Sequence, residues 1–517
     1  MTHGVEPAAG ERTTGEQVAA ADERTAAAAA AATVDTSGSM KGAVVSGAKW
    51  AGMSKLGTQG LQFLAGLVLA RLLAPADFGL LASIYVVTGF ATLFFEMGLG
   101  AALVHQRSPS ERDLSTVFWI NALSGVLYAG LMWAISPLVA EFFDAPRMTS
   151  LMPFVALTFT LALGVVHYSL LQRQLRFRAL AAVDLSTALA GHVTTVVAAL
   201  LGAGTFALVA GPLVTTSLTS IVLFCVVRWR PRHFIDRRSL RELWRFSGGM
   251  LGFNVVNYWG RNADNLIIGR FLGAAPLGLY GRAYNLMLLP VTQITGTLGR
   301  VMFPALAAVR DDHPRVRSMY LRSLGTINFV TIPVLVGLAA TAEGLVPLLW
   351  GEQWTAVVPV LQVLCIAGVP QCVSTSVGWL YQSQGRTTTM FVMGVIGSVV
   401  GVVAMVAGLH WGIVGVAWGV LAKSWVMAPV ALHVSGRVVG LRVGTTLRGA
   451  APTLLTAAVM GALVWALPHA LGWDPASPAV VAVQVVLGVV LYLAGSLLLQ
   501  RARLLETVRL VRRRQSS

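Results

Sequence analysis

Residues 71–85 read RLLAPADFGLLASIY, and residues 270–284 read RFLGAAPLGLYGRAY. At a constant offset of 199, Arg71 matches Arg270, Leu73 matches Leu272, Ala76 matches Ala275, Gly79 matches Gly278, Leu80 matches Leu279 and Tyr85 matches Tyr284. Each copy joins the end of one apolar block to the start of the next through a tight turn. A weaker echo pairs GTFALVAG (Gly204–Gly211) with GIVGVAWG (Gly412–Gly419). A repeat at this distance predicts two similar halves in the same orientation, and paired bundles of that kind enclose a site around which one can rock against the other.

The blocks flanking the repeat are membrane spans. Of 517 residues, 56% are hydrophobic and only 12% charged, about half the charge of an ordinary soluble surface. Runs long enough to cross ~30 Å of hydrocarbon, about 20 residues each, fall at 49–72, 77–104, 114–136, 150–171, 180–201, 205–227, 247–270, 276–305, 319–341, 357–381, 388–408, 412–435, 449–468 and 478–500. They are continuous rather than alternating with period two, so they predict helices and exclude a membrane barrel. The fold class expected is an all-α membrane protein of about fourteen spans. Its organisation would be a disordered cytoplasmic tail (1–40), a six-helix lobe (41–230), a second six-helix lobe (231–440), two additional spans (441–500) and a basic cytoplasmic tail (501–517).

The charges test that count. With the first tail cytoplasmic, the predicted inner loops and the C-terminal tail hold 26 arginines, seven of them between Arg228 and Arg245, and the outer loops hold only Arg71, Arg147 and Arg270. Such asymmetry is the positive-inside rule, and one missed span would scramble it. Both termini are therefore expected in the cytoplasm, in a cytoplasmic membrane. The formal net charge of +16 is mostly a topology signal and not a nucleic-acid footprint. Residues 1–40 lack the basic start, apolar middle and cleavage site of a signal peptide. The three cysteines lie in apolar blocks, and no metal-ligand spacing or aqueous cluster of catalytic side chains stands outside them. The outer loops, the longest being Pro137–Thr149 and Ala342–Ala356, are short for an enzyme acting on a large external acceptor.

Inside the spans, polar residues recur with helical spacing. On span 7, Asn254, Asn257, Tyr258, Arg261, Asp264 and Asn265 share one face. Subtracting 199 places Lys55, Thr58, Gln59 and Gln62 on the matching face of span 1. Charges facing lipid cost at least ~2.5–3.5 kcal/mol each, so both stripes are expected to line one cleft between the bundles. The intramembrane charges weighed are Lys55, Arg261, Arg282, Arg300 and Lys423 against Glu96, Asp184 and Asp264, a balance that favours an anionic solute. Arginine's planar fork suits phosphate. Arg300, Lys423 and Asp184 lie near predicted boundaries, where side chains snorkel, and Arg261 and Asp264 are close enough on the helix to neutralise each other. Asp264 and Glu96 are the candidates for coupling to a proton or sodium gradient; no other cofactor is expected. The glycines of GVIGSVVG (Gly394–Gly401) and GIVGVAWG read as close helix packing.

The stretch RNADNLIIGRFLGAAPLGLYGRAYNLMLLP (Arg261–Pro290) resembles the signature of bacterial polysaccharide exporters of the colanic-acid-exporter type, within the multidrug/oligosaccharidyl-lipid/polysaccharide flippase superfamily. LARLLAPADFGLLA (Leu69–Ala82), FFEMGLGAALVHQ (Phe94–Gln106) and LLQRQLRFRAL (Leu170–Leu180) match it as well, and the likeness runs from about Lys41 to about Val439. The resemblance implies a flippase, not an enzyme, that carries polyprenyl-pyrophosphate-linked oligosaccharide across the membrane by alternating access. On that reading Arg261, Lys55 and Arg282 attract the pyrophosphate, and Gln59, Gln62, Asn257, Tyr258 and Asn265 hydrogen-bond sugars. Its partners would be the lipid-linked oligosaccharide, membrane lipids, and polymerase and glycosyltransferase enzymes of the same route, with no nucleic acid. Alternatives are a lipid-linked peptidoglycan precursor flippase and a cation-coupled drug exporter, the latter disfavoured by the basic balance. A membrane glycosyltransferase or polymerase is more remote, since the external carboxylates are few: Glu141, Asp144, Glu343, Glu352 and Asp474.

Overall fold

The computed structural model describes residues 46–47, 49–95, 103, 110–236, 255, 257–501 and 503–505, and every regular element among them is helical. In chain order the spans are 1 (49–72), 2 (Pro75–Phe95), 3 (Glu111–Phe142), 4 (Met148–Leu161 and Val165–Arg173), 5 (Phe177–Leu200), 6 (Thr205–Val226) and 7 (257–271). They continue as 8 (Ala274–Ala308), 9 (His313–Ala340), 10 (Val357–Ser383), 11 (Thr387–Gly408), 12 (Gly412–Val439), 13 (Val443–Leu471) and 14 (Pro478–Leu499). By length and hydropathy ten of the described helical stretches cross a membrane, or eleven with the bent fourth span. One of these, Thr387–Val439, is a hairpin of two helices, turned at Leu409–Trp411. The described helices are consistent with about fourteen spans. Tails 1–40 and 506–517 and Glu96 lie outside the described residues.

The periphery is a lipid-facing surface. Leu127, Trp133, Val486 and Leu498 all stand exposed, which a chain in water would not tolerate as a continuous belt. This is a multi-pass membrane protein. Each half has a core, and the larger one reaches across to Ala70 of the first half. Leu80, Ile84, Tyr128, Met132, Leu151 and Val155 pack together in the first half. Met287, Leu335, Leu364, Val416 and Met460 belong to a larger core in the second, which also takes in span 13.

Span 4 differs from its expectation. The run 150–171 reads as one helix, yet the two pieces meet at 41°. Backbone groups freed by a break in hydrocarbon need new partners, and polar side chains from neighbouring spans supply them. Ser220 Oγ donates to the Leu161 carbonyl at 2.6 Å and accepts from the Leu163 N–H at 3.1 Å, while Asn121 Nδ2 donates to the Ala162 carbonyl at 2.7 Å. Ser220→Ala should therefore destabilise the fold by about 1–3 kcal/mol, the cost of buried unsatisfied groups. Thermal unfolding in detergent would register it as a lower midpoint.

Two predicted outer loops are also more ordered than expected. Span 3 continues through Pro137 to Phe142, and Ala342–Trp350 forms a short helix followed by a single turn at Glu352–Trp354. The apolar side chains explain the second case: Val346 and Trp354 are fully buried and Trp350 nearly so.

The repeat occupies the contact between halves. A Cβ on Gly79 would lie 1.6 Å from the Ala274 carbonyl oxygen, and one on Gly278 would lie 1.9 Å from that of Pro75. Pro75 and Ala274 are themselves matched at the 199-residue offset. Residue i meeting j′ while j meets i′ is the mark of a two-fold axis. Spans 2 and 8 thus cross backbone to backbone at their first turns, on the side the arginines predict to be external. The matched arginines also reach across to the opposite half, though to unmatched partners. Arg71 donates to the Leu348 carbonyl at 2.6 Å in the second half, and the Arg270 guanidinium lies 5.4 Å from the Phe142 ring in the first.

Further ties close this end, the one the arginines predict to be external. Trp354 Nε1 donates to the Ala70 carbonyl at 2.7 Å, and Gln353 Nε2 reaches the same oxygen at 2.7 Å. Trp354→Phe keeps the ring and removes one of these bonds. A loss of about 0.5–1.5 kcal/mol is expected for the closed outer end, readable as faster labelling of a cysteine placed at Ala70.

Candidate functional site

Each half contains a polar cavity, and span 1 or span 7 supplies one wall of each. In the first half, Ser54, Lys55, Thr58, Tyr168, Gln172 and Asp184 line a cavity of about 500 Å³ between spans 1, 4, 5 and 6. In the second, Asn257, Arg261, Tyr284, Gln371, Ser398 and Lys423 line one of about 530 Å³ between spans 7, 8, 10, 11 and 12. Both volumes fall in the range of ~300–1,000 Å³ usual for small-ligand pockets. The stripes of spans 1 and 7, expected to line one cleft between the bundles, instead line two cavities, one per lobe. On span 1 the lining face is Ala51, Ser54, Lys55 and Thr58, one turn nearer the chain start than predicted. Gln59 is half-buried and Gln62 exposed, and neither lines that cavity.

The second cavity is strongly cationic. Arg261 is exposed into it and forms no ion pair with Asp264. Asp264 instead is buried behind the wall, accepting from Tyr280 Oη at 3.0 Å and from the Asn265 N–H at 2.8 Å. Lys423 is the cation whose charge acts on that carboxylate. Arg261 and Asp264 thus form no salt bridge: the carboxylate takes its hydrogen bonds from Tyr280 and Asn265, and the guanidinium faces the cavity. Asn265 is half-buried beside it.

Glycines make the room. Gly394 and Gly397 line this cavity, and a Cβ on Gly401 would sit 3.5 Å from the aliphatic stem of Lys423. GVIGSVVG thus opens space instead of packing helices closely. Close packing does hold for GIVGVAWG, where a Cβ on Gly415 would lie 2.0 Å from the Gly408 carbonyl oxygen.

Two predicted sugar- or phosphate-binding residues are engaged between the lobes. Tyr258 Oη donates to the Val86 carbonyl at 2.6 Å on span 2. The Arg282 guanidinium lies 4.1 Å from the Phe78 ring centre, with Trp354 at 5.7 Å and Trp350 at 6.0 Å. Arg282 is thus caged by aromatic faces under the outer contact, a favourable cation–π setting, and is not among the residues lining the Arg261–Lys423 cavity. Lys423, Gln371 and Tyr168 were missed as site residues. Lys423 was read as a boundary charge, although it falls 11 residues into the 28-residue span 12; the polar run of PQCVSTSVG around Gln371 was the available signal for span 10.

A third cavity, about 530 Å³, lies where spans 13 and 14 pack on spans 8 and 9. Its lining includes Leu286, Phe329, Val334, Val485 and Leu493, with almost nothing polar. It suits hydrocarbon and not a headgroup.

The polysaccharide biosynthesis protein family matches residues 68–359. The chain is 28% identical over 360 residues to the lipopolysaccharide biosynthesis protein WzxC of Escherichia coli (strain K12), covering 69% of this chain and 73% of that one. It is 30% identical over 352 residues to the succinoglycan biosynthesis transport protein ExoT of Rhizobium meliloti (strain 1021), covering 68% and 71%. The fold is that of the lipid II flippase MurJ in an inward closed conformation, with a TM-score of 0.69 at 15% identity over 87% of this chain and 98% of that one. A helical membrane bundle, a two-fold repeat and a sequence match over more than half the chain agree: it belongs to the polysaccharide biosynthesis protein family of membrane transporters.

Proposed function

We propose that this protein is a flippase that moves polyprenyl-pyrophosphate-linked oligosaccharide across the cytoplasmic membrane by alternating access, for the building of cell-surface polysaccharide. One observation carries the reading: a cavity inside a membrane bundle that presents Arg261 and Lys423 together, with its one carboxylate withdrawn behind the wall. Two cations beside low-dielectric walls attract a diphosphate and repel organic cations. A drug exporter for cations would need the opposite sign.

Arg282 stands where a headgroup would arrive beneath the closed outer end, and Lys55 faces the cavity of the other lobe beside Asp184. Asn257, on the wall of the Arg261 cavity, offers a polar contact to the sugar next to the diphosphate. The prenyl tail stays in hydrocarbon. Asp264, in contact with the field of Lys423, is the residue we assign to ion coupling, since substrate charge arriving at Lys423 alters what that carboxylate experiences. Both termini would lie in the cytoplasm, with the polymerase and glycosyltransferases of the route as functional partners.

The test is reconstitution. Proteoliposomes loaded with lipid-linked oligosaccharide on the inner leaflet should deliver it to an external glycosidase only when the protein is present. Equal delivery from protein-free vesicles, or delivery of prenyl-free sugar, would contradict the proposal.

A further inference from the structure

The cavity of the first lobe differs in chemistry from its counterpart. Its charges balance: Lys55 and Asp184 line the same space, whereas the second cavity has two cations facing it. Asp184 accepts from Ser54 Oγ at 3.3 Å and from Tyr168 Oη at 3.5 Å. Both are long for hydroxyl–carboxylate bonds, which close to ~2.5–2.7 Å when the geometry is free. The carboxylate therefore has loosely held donors that a better-placed hydroxyl can displace.

The rest of the lining is of the same kind. Thr58 donates its hydroxyl hydrogen to the Ser54 carbonyl at 2.9 Å, and Thr219 donates to Thr187 Oγ1 at 3.0 Å, which in turn donates to the Val183 carbonyl at 2.9 Å. With their hydrogens spent, the oxygens of Thr58 and Thr219 remain as acceptors. Gln172 offers an amide with both functions, and Tyr168 and Phe177 offer ring faces. A second cavity of about 380 Å³, sharing Tyr168, Gln172, Thr215 and Thr219, extends the space along spans 4 and 6.

A phosphate meets Asp184 as well as Lys55 and gains no net attraction, and a prenyl chain would strand every one of these polar atoms. A neutral polyol satisfies them: vicinal hydroxyls donate to a carboxylate and accept from an amide, and the apolar face of a sugar ring lies against an aromatic one. We infer that the Asp184 cavity is a saccharide-recognition site, separate from the Arg261–Lys423 diphosphate site, so that the lobes divide the headgroup between them. This rests on the flippase reading above and adds to it which lobe reads the glycan.

The test compares two probes on the full-length protein in nanodiscs. One is polyprenyl-pyrophosphate-linked oligosaccharide extracted from cells that carry this gene; the other is the same extract after mild acid has removed the glycan. Asp184→Asn and Gln172→Ala should each weaken binding of the glycosylated lipid by about tenfold and leave the deglycosylated lipid within twofold. Arg261→Ala should weaken both. Circular dichroism and size-exclusion profiles check that each variant folds, and Asp184→Glu should recover part of the lost affinity. Equal loss for both probes, or no loss for either, overturns the saccharide site while leaving the flippase reading standing. Sodium- or proton-dependent binding at Asp184 without glycan overturns it as well. Failure of the wild-type protein to bind either probe would instead defeat the flippase reading.

Discussion

Arg261→Ala is expected to lower translocation of lipid-linked oligosaccharide in proteoliposomes by about tenfold to a hundredfold, with expression and melting behaviour intact. The magnitude follows from the contact being lost. A hydrogen bond to a charged group contributes about 1.5–3 kcal/mol, and each 1.4 kcal/mol is tenfold. The fold should be spared because the Arg261 side chain is exposed to the cavity and Asp264 takes its hydrogen bonds from Tyr280 and Asn265 instead. Arg261→Lys should retain part of the rate, since the charge remains and the bidentate fork is lost. Lys423 needs a different design. Its removal alone would leave Asp264 buried without the neighbouring cation, so Lys423→Ala is paired with Asp264→Asn. That double variant should fold and bind the lipid-linked oligosaccharide more weakly than Asp264→Asn alone, a comparison that separates Lys423 from the coupling role of Asp264. Full transport in both variants would remove the cationic cavity from the mechanism.

The second large effect concerns the two-fold contact. Gly79→Val or Gly278→Val introduces side-chain atoms where even a Cβ would stand 1.6 Å or 1.9 Å from a carbonyl oxygen of the other lobe. Spans 2 and 8 cannot cross at that separation with either substitution. Overpacking of this kind costs about 1–3 kcal/mol or more, and it falls on the closed outer end alone. The equilibrium between closed and open outer ends should therefore shift about fivefold to a hundredfold toward open. The readout is labelling of Ala70→Cys by a membrane-impermeant maleimide, in a background where the exposed Cys225 is serine. Ala70 is fully buried in the closed arrangement, so labelling should accelerate in either valine variant. An unchanged rate would mean that the glycine crossing does not hold the outer end shut.

Much of the architecture could be read from the chain because hydrocarbon leaves so little choice. Continuous apolar runs, the arginine asymmetry and the 199-residue offset each report on spans and their arrangement. The offset was also informative in a way that the apolar runs were not: Gly79 and Gly278, matched in sequence, turn out to touch across the axis that relates them. What escaped the sequence was three-dimensional convergence. Lys423 and Arg261 lie 162 residues apart, and nothing in either local stretch says that they face one cavity. Asp184 was set aside as a boundary charge, yet helices 1, 4 and 5 bring Ser54 and Tyr168 to it. Tyr258 and Arg282 show the converse. Their helical faces were assigned sensibly, but a side chain on the right face can still be claimed by the neighbouring lobe. The break in span 4 was invisible because its cause, Ser220 and Asn121, sits on other helices.

The most direct measurement is a cryo-electron-microscopy reconstruction of the protein with polyprenyl-pyrophosphate-linked oligosaccharide bound. Diphosphate density is expected within charge-assisted hydrogen-bonding distance, ~2.7–2.9 Å, of the Arg261 guanidinium and facing Lys423, in the cavity of the second lobe. Diphosphate density seated elsewhere, with Arg261 and Lys423 contacting only protein or lipid tails, would contradict it.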